Sequence, residues 1–373
     1  MKIVHVVRQF YPSVGGLEDY VLNLAKEQRS AGHEVIVLTL NSDFQTEKLL
    51  PDTEEHQGIK VQRLPWKGSK RYPICRPNLA LLNQMDIVHV HAVDFFIDYL
   101  SLMRRLGRLT APLVLSTHGG FFHTKNNQRL KKIFFDVVTR WTLGGVEGVV
   151  CCSSNDYSMF APISRLAQLV NNGIRVKKFG PGVPNGSAPA DDLVYLGRFS
   201  GNKRLPWLIE NFAKLEHPAG CLKIIGRSKT GDVSALVSLV QRLGCDDKVK
   251  LIFDITDDEI ADHIVNSKFT VSASEYEGFG LGVVELMSYG LVPFLAEEPL
   301  SFKDFVNDSG AGQIFDISPS SFKSKYETLI AEWSPAAAVN AASYAKQFSW
   351  TTVAEEIFNV YESTLENGVG AYR

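Results

Sequence analysis

Short apolar runs alternate with helix-period stretches along this chain. The alternation stops once, near the middle, and then restarts. The runs are KIVHVVR (2–8), EVIVLTL (34–40), IKVQRL (59–64), DIVHVHA (86–92), PLVLSTH (112–118) and GVVCCS (148–153). After the break come LVYLGR (193–198), CLKIIGR (221–227), KVKLIF (248–253), FTVSAS (269–274) and LVPFLAE (291–297). Near-continuous apolar strands separated by helices indicate a parallel sheet covered on both faces. The break itself, FGPGVPNGSAPADD (179–192), is rich in Gly, Pro, Ser and Asp, lacks periodicity and reads as a linker. The expected fold class is therefore α/β, with two doubly wound Rossmann-like domains, 1–185 and 186–373, in a chain long enough for both. Ligands of such sheets bind outside the carboxyl ends of the strands, here expectedly in the cleft between the domains.

Composition narrows the class. Hydrophobic residues at 45% and charged residues at 21% describe an ordinary globular chain, and no apolar run approaches the ~18–20 residues of a membrane span. The opening MKIVHVVRQFYPS has too short an apolar core for a signal peptide. The five cysteines show neither metal spacing nor a disulfide framework, which points to a reduced, cytoplasmic compartment. The net charge of −2 hides an asymmetry: residues 1–185 carry 23 Lys/Arg against 15 Asp/Glu, a balance of +8, and residues 186–373 carry 16 against 26, a balance of −10. A basic half suits an anionic membrane surface or anionic substrate; it also describes two domains with unlike surfaces. No nucleic acid partner is expected.

The loops after the strands carry the chemistry. Gly15 and Gly16 precede a helix expected over 17–31, where backbone N–H groups can cradle an anion or simply make a turn. His118, in STHGGFFHT, ends a strand; it can polarise a hydroxyl, donate to a phosphate, or be a satisfied half-buried histidine. The segment 124–141 groups Lys131, Lys132, Phe134, Phe135, Val138 and Trp141, as either a membrane-surface helix or an ordinary helix with its apolar side inward. In GRFSGNK, Arg198 and Lys203 lie just past a strand end and can both reach one diphosphate. EYEGFGLGVVE sets Glu277 in a turn and Glu285 in the following helix, with Gly278, Phe279 and Gly280 between them. Bare backbone at a helix start welcomes phosphate, and carboxylates suit sugar or ribose hydroxyls. The dinucleotide pattern G-x-G-x-x-G fails there because Val283 stands at the third glycine. TDDE (256–259) reads as a capped helix start rather than a metal site.

The order of these elements resembles the retaining GT-B glycosyltransferases of family 4. The Gly-Gly loop, the strand-end His118, NNG (171–173), GR-x4-K (197–203) and E-x7-E (277–285) all occur in the family's order. VVRQFYPSVGGLEDYVLNLA, VHVHAVDFFIDYL and LVLSTHGGFFHT are further similar to the α-mannosyltransferases that extend lipid-linked cellobiose in xanthan- and acetan-type exopolysaccharide assembly. One departure follows NNGIR (171–175), where the family continues with an acidic residue and an aromatic and this chain has VKKFGPG.

The resemblance implies a GDP-mannose donor, a polyprenyl-diphosphate-linked glycan acceptor, an anionic membrane surface met by the N-terminal domain at the inner face of the cell membrane, and no metal or other cofactor. It assigns Arg198 and Lys203 to the donor diphosphate, Glu285 to the ribose, and Glu277 with the Gly278–Gly280 backbone to the transferred sugar. Gly15 and Gly16 fall near the diphosphate, His118 near the sugar and acceptor. It also implies a last helix, about 350–366, packing back on the N-terminal domain. A UDP-sugar transferase and a non-catalytic nucleotide-sugar binding protein remain the alternatives.

Overall fold

The computed structural model describes residues 1–119, 133–176, 178, 189–216, 218–228 and 233–368. Gly120, Lys131, Lys132 and the linker core 179–188, singled out in the sequence, lie outside these residues. The chain forms two compact units, Met1–Gly173 with Trp350–Arg373, and Ile174–Ser349. The first division thus falls ahead of the expected 185. Ile174 is one reason: its N–H donates to the Phe348 carbonyl at 2.7 Å, and its side chain is buried in the second unit's core. Lys178 is tied to the same unit through Glu285, at 2.9 Å.

The first unit is built on eight strands: β1 (Lys2–Val6), β2 (Glu34–Leu40), β3 (Thr53–His56), β4 (Ile59–Leu64), β7 (Ile87–His91), β8 (Leu113–Ser116), β9 (Gly148–Cys151) and β10 (Ala167–Leu169). Their order is β10-β9-β8-β7-β1-β2-β4-β3, parallel except for the β3–β4 edge pair. β5 (Trp66–Ser69) and β6 (Tyr72–Cys75) form a separate antiparallel hairpin. The Val/Ile-rich central strands are buried almost throughout, as strands under helices on both faces must be. The register sets His5 opposite His89 on β1 and β7, and the two-residue strand period brings His91 to the same face. Helix α1 (Gly16–Ser30) buries Tyr20, Val21, Leu24, Ala25 and Gln28, one stripe at helical spacing. Helix α2 (Phe95–Arg105) is capped by Asp94, whose Oδ1 accepts from the Phe96 N–H at 2.9 Å. A shorter helix, α3 (Ser154–Phe160), is capped by Ser153.

The second unit has a six-stranded parallel sheet: β11 (Ala190–Leu196), β12 (Leu222–Gly226), β13 (Val249–Phe253), β14 (Ser267–Ser272), β15 (Val292–Ala296) and β16 (Gln313–Phe315). The order β13-β12-β11-β14-β15-β16 puts the switch of winding between β11 and β14, where ligand crevices form. Phe212, Phe269, Phe294, Phe302, Phe305, Phe315 and Phe322 fill its core, each burial stabilising by roughly 1.5–3 kcal/mol. Helices α4 (Leu205–Ala213), α5 (Asp257–Ile264) and α6 (Leu281–Ser288) position the loops discussed below. Thr256 caps α5 in a full capping box with Glu259, so TDDE is a helix start.

The last helix, α7 (Trp350–Gly368), belongs to the first unit, where Trp350, Val353, Ile357, Val360 and Tyr361 pack with residues of β1, β7, β8 and β9. Gly148 is needed for that approach: a Cβ there would lie 2.5 Å from Thr364 Oγ1. Each apolar run read from the sequence is a strand. The unforeseen strands β3, β5, β6, β10 and β16 are three or four residues long, and most lie at sheet edges, where neither length nor burial marks the sequence.

Candidate active site

β11 and β14 are neighbours, so GRFSGNK and EYEGFG leave the sheet side by side. Hydrogen bonds join the two loops. The Glu275 N–H donates to the Asn202 carbonyl at 2.8 Å, and the Asn202 side-chain amide donates to the Tyr276 carbonyl at 2.9 Å. An ion pair adds to these: Lys203 Nζ lies 2.5 Å from Glu277 Oε1, which also accepts from Ser274 Oγ at 2.8 Å. Lys203 is only 8% exposed. Arg198 points its side chain to solvent, while its carbonyl accepts from the Tyr195 hydroxyl at 2.8 Å. The ends of these two neighbouring strands therefore carry an exposed guanidinium, a clamped ammonium and a carboxylate.

Helix α6 opens directly onto this group. Gly280, at φ +107°, is its N-cap, a conformation that a side chain would strain. Gly282 lets the helix start against the end of β11, since a Cβ there would lie 2.2 Å from the Leu196 carbonyl oxygen. A Cβ on Gly278 would meet nothing within 4 Å, so the backbone there is open to a ligand. The Phe279 ring turns into the core, 5.4 Å from Phe305 and 5.1 Å from Phe348, so only its backbone can serve a ligand. Glu285 is met by Lys178, whose Nζ donates to both carboxylate oxygens at 2.9 and 3.0 Å. Burial pushes the Glu285 carboxyl up and the Lys178 ammonium pulls it down. Lys178 lies in the VKK stretch where the sequence departs from the family, and that departure was the only signal for it.

In the first unit the candidates lie past the ends of β1, β7 and β8. Gly15 and Gly16 open α1, but its first turn carries Glu18 and Asp19, and a Cβ on Gly15 would lie 2.5 Å from a Glu18 carboxylate oxygen. That helix end thus faces its own carboxylate. Arg8 pairs with Asp94 at 3.0 Å, and burial pushes Asp94 up to about 7. His118 sits at φ +48° in a loop braced by Asp156, which accepts from Thr117 Oγ1 at 2.5 Å and from the Gly119 N–H at 2.8 Å. Its ring stands edge-on to Tyr20, 4.5 Å between centroids, with Nε2 3.0 Å from His91 Nδ1 and Nδ1 3.7 Å from Cys152 Sγ. Burial holds His118 down to about 3, so it is neutral at pH 7 and offers a phosphate no cation.

Asp156, His91 and His5 were not foreseen. The IVHVH alternation and the β1–β7 register were the available signal. His5, His89 and His91 lie close enough to share a metal ion, yet every ring nitrogen of the three already has a hydrogen-bond partner.

Burial also holds His5 at about 4 and pulls His89 and His91 well below their ordinary value. Unfolding frees all four imidazoles to titrate near 6.5, so their stabilisation is full above that pH and is lost as pH falls through about 4. Asp94, raised to about 7, acts in the opposite sense. The urea midpoint should fall steadily from pH 6.5 to about 4.5; a flat profile there would contradict neutral burial of the four rings.

Comparison with known proteins agrees with this geometry. Residues 14–178 match Glycosyltransferase Family 4, and residues 187–348 match Glycosyl transferases group 1. The chain is 38% identical over 323 residues to the GDP-mannose:cellobiosyl-diphosphopolyprenol alpha-mannosyltransferase of Xanthomonas campestris, covering 84% of this chain and 83% of that one. It is 33% identical over 374 residues to the enzyme of the same description from Komagataeibacter xylinus, covering 98% and 94%. Sucrose-phosphate synthase from Thermosynechococcus elongatus has the same GT-B fold, with a TM-score of 0.74 at 19% identity over 98% of this chain and 99% of that one. Two sheet units with the GRFSGNK and E-x7-E loops on adjacent strands, and relatives this similar over most of their length, establish that the chain belongs to glycosyltransferase family 4.

Proposed function

We propose that the protein transfers an α-mannosyl group from GDP-mannose to a polyprenyl-diphosphate-linked, cellobiose-type oligosaccharide in exopolysaccharide assembly, with retention at the anomeric carbon. The observation that carries this is the 33–38% identity to transferases of that description over most of the chain. Breaking the sugar–phosphate bond builds negative charge on the departing diphosphate. Arg198 and Lys203 supply fixed positive charge at one strand end, so the reaction should need no divalent ion. Glu277 orients the sugar hydroxyls, Glu285 the ribose, and the backbone of Gly278–Gly280 meets phosphate. Gly15 and Gly16 are assigned to the diphosphate, and His118 to the sugar and acceptor. The acceptor hydroxyl attacks from the face the diphosphate leaves, and the departing phosphate takes its proton; a trapped mannosyl ester on Glu277 would overturn that step. The experiment is transfer from GDP-mannose, against UDP-sugars, to synthetic cellobiosyl-diphosphopolyprenol, with and without EDTA. Mannosyl product insensitive to EDTA supports the reading; product from a UDP-sugar alone overturns it.

No helix among the described residues is long and apolar enough to cross a membrane. The proposed lipid-linked acceptor brings the protein to the cytoplasmic face of the membrane, and two exposed patches of the first unit support contact there. The β5–β6 hairpin exposes Lys67, Lys70, Arg71 and Arg76 together with Tyr72 (40%) and Ile74 (56%). Ile133, Val137 and Trp141 form an exposed apolar stripe at helical spacing. Asp98 joins the two patches, accepting from the Tyr72 hydroxyl at 2.8 Å and from Thr142 Oγ1 at 2.6 Å. Arg63, on the strand before the hairpin, is instead buried against Glu54. Lys67→Glu combined with Arg71→Glu should weaken flotation with phosphatidylserine vesicles at least tenfold, at about 1 kcal/mol per cation removed. Equal flotation of the variant would remove the hairpin from the membrane surface.

A further inference from the structure

One hydrogen-bonded chain runs through the interior of the first unit and ends on His118. It starts on the last helix, at Tyr361, whose hydroxyl receives the Gln28 side-chain N–H at 3.2 Å. Gln28 Oε1 lies 2.7 Å from His5 Nε2, and His5 Nδ1 lies 2.9 Å from His91 Nε2. His91 Nδ1 is 3.0 Å from His118 Nε2, which leaves His118 Nδ1 with a long, 3.7 Å contact to Cys152 Sγ. A branch runs the other way: Tyr361 Oη lies 2.6 Å from His89 Nδ1, and His89 Nε2 lies 2.7 Å from Ser116 Oγ. Gln28, His5, His89 and His91 are at most 1% exposed, so water does not substitute for any link.

A neutral imidazole carries one N–H and one lone pair, so a single assignment propagates along the whole chain. The Gln28 carbonyl can only accept, so His5 bears its proton on Nε2 and accepts at Nδ1. His91 then donates from Nε2 and accepts at Nδ1. His118 donates from Nε2, and its Nδ1 is left as a lone pair. On the branch, Tyr361 passes its own proton to His89 Nδ1, and His89 Nε2–H points to Ser116. Turning the Gln28 amide over would reverse every link.

We propose that Gln28 is a positioning residue for His118: it holds the three-imidazole chain in one hydrogen-bond polarity, so that His118 Nδ1 faces a ligand as an acceptor for a sugar hydroxyl. Cys152 Sγ is a long, weak partner at that atom, and His118 is only half-buried, so a ligand hydroxyl can take the Nδ1 lone pair at normal hydrogen-bond distance. The Asp156 brace on Thr117 and Gly119 fixes the loop, and the chain through His91 fixes the ring and its tautomer. The catalytic part of this inference rests on His118 meeting the transferred sugar, as proposed above; the tautomer part does not.

The test is long-range ¹H–¹⁵N correlation of the histidine rings in the uniformly labelled full chain at pH 7.5, with His118 assigned by its absence in His118→Ala. The expected result is His118 protonated on Nε2, with a mixed or reversed tautomer in Gln28→Met. A wild-type His118 protonated on Nδ1 overturns the polarity, and this spectrum decides the matter even if Gln28→Met does not fold. An unchanged tautomer in Gln28→Met overturns the role of Gln28. In the transfer assay, Gln28→Met should lower kcat roughly tenfold, about one hydrogen bond's worth, with GDP affinity unchanged. It should cost nothing further in a His118→Ala background. Independent losses in that double variant would show Gln28 acting on fold stability alone. If the chain transfers no mannose, the spectrum still decides the polarity, so the two proposals fail separately.

Discussion

Replacing Lys203 by alanine is expected to lower kcat by about two to three orders of magnitude, the effect of removing one fixed charge from the position where transition-state charge develops. The ammonium is held on Glu277 Oε1 and sits beside the Arg198 loop, where a departing diphosphate would be neutralised. The substitution also carries a stability cost that a surface lysine would not. Lys203 is 8% exposed, and alanine leaves the Glu277 carboxylate with Ser274 as its remaining side-chain donor. That loss should amount to on the order of 1–3 kcal/mol and appear as a lower Tm. Single-turnover rates measured well below the variant's Tm separate the two effects. A rate within threefold of wild type would remove Lys203 from the reaction and leave it a structural clamp.

Replacing Glu285 by alanine is expected to weaken GDP binding about tenfold to a hundredfold, the loss of one or two charge-assisted hydrogen bonds, each roughly 1.5–3 kcal/mol when fully made. Acceptor KM should stay constant, because Glu285 lies on α6 of the second unit, the helix that follows EYEGFG. Lys178 sharpens the test. Its ammonium spans both Glu285 oxygens, so it holds the half-buried carboxylate in place and opposes the upward push of burial on its pKa. Lys178→Met should therefore weaken GDP binding in the same direction but less, and add little to Glu285→Ala, since the two residues act as a pair. Calorimetric titration with GDP checks both. A fall in acceptor affinity with unchanged GDP binding would overturn the ribose assignment.

The strands and the loops that follow them were legible because their signals are local. A buried parallel strand needs an unbroken apolar run, as in EVIVLTL, and a helix start beside a strand end needs glycine, as at Gly280 and Gly282. Order along the chain then placed GRFSGNK and EYEGFG after strands, their chemistry suited phosphates and hydroxyls, and the resemblance to family 4 implied the reaction type. The division between the units was less legible, because Ile174 is claimed by a partner far along the chain, the Phe348 carbonyl.

What the sequence determined by itself is the alternation, the two sheets and the identity of the charged groups past the strand ends. Tertiary structure alone decided their state. Lys203 looked like an open cation and is clamped on Glu277, and Lys178, which has no role legible in the sequence, is clamped on Glu285; each carboxylate lies more than seventy residues away. Phe279 looked like part of a ligand loop, and its ring went to the core because Phe305 and Phe348 are there to receive it. His118 could be read three ways until β1, β7 and α7 enclosed it in a line of neutral imidazoles. Burial, charge pairing and tautomer depend on which distant groups come within about 3 Å of each other. That distance is set by strand register and helix packing, not by neighbours in the sequence.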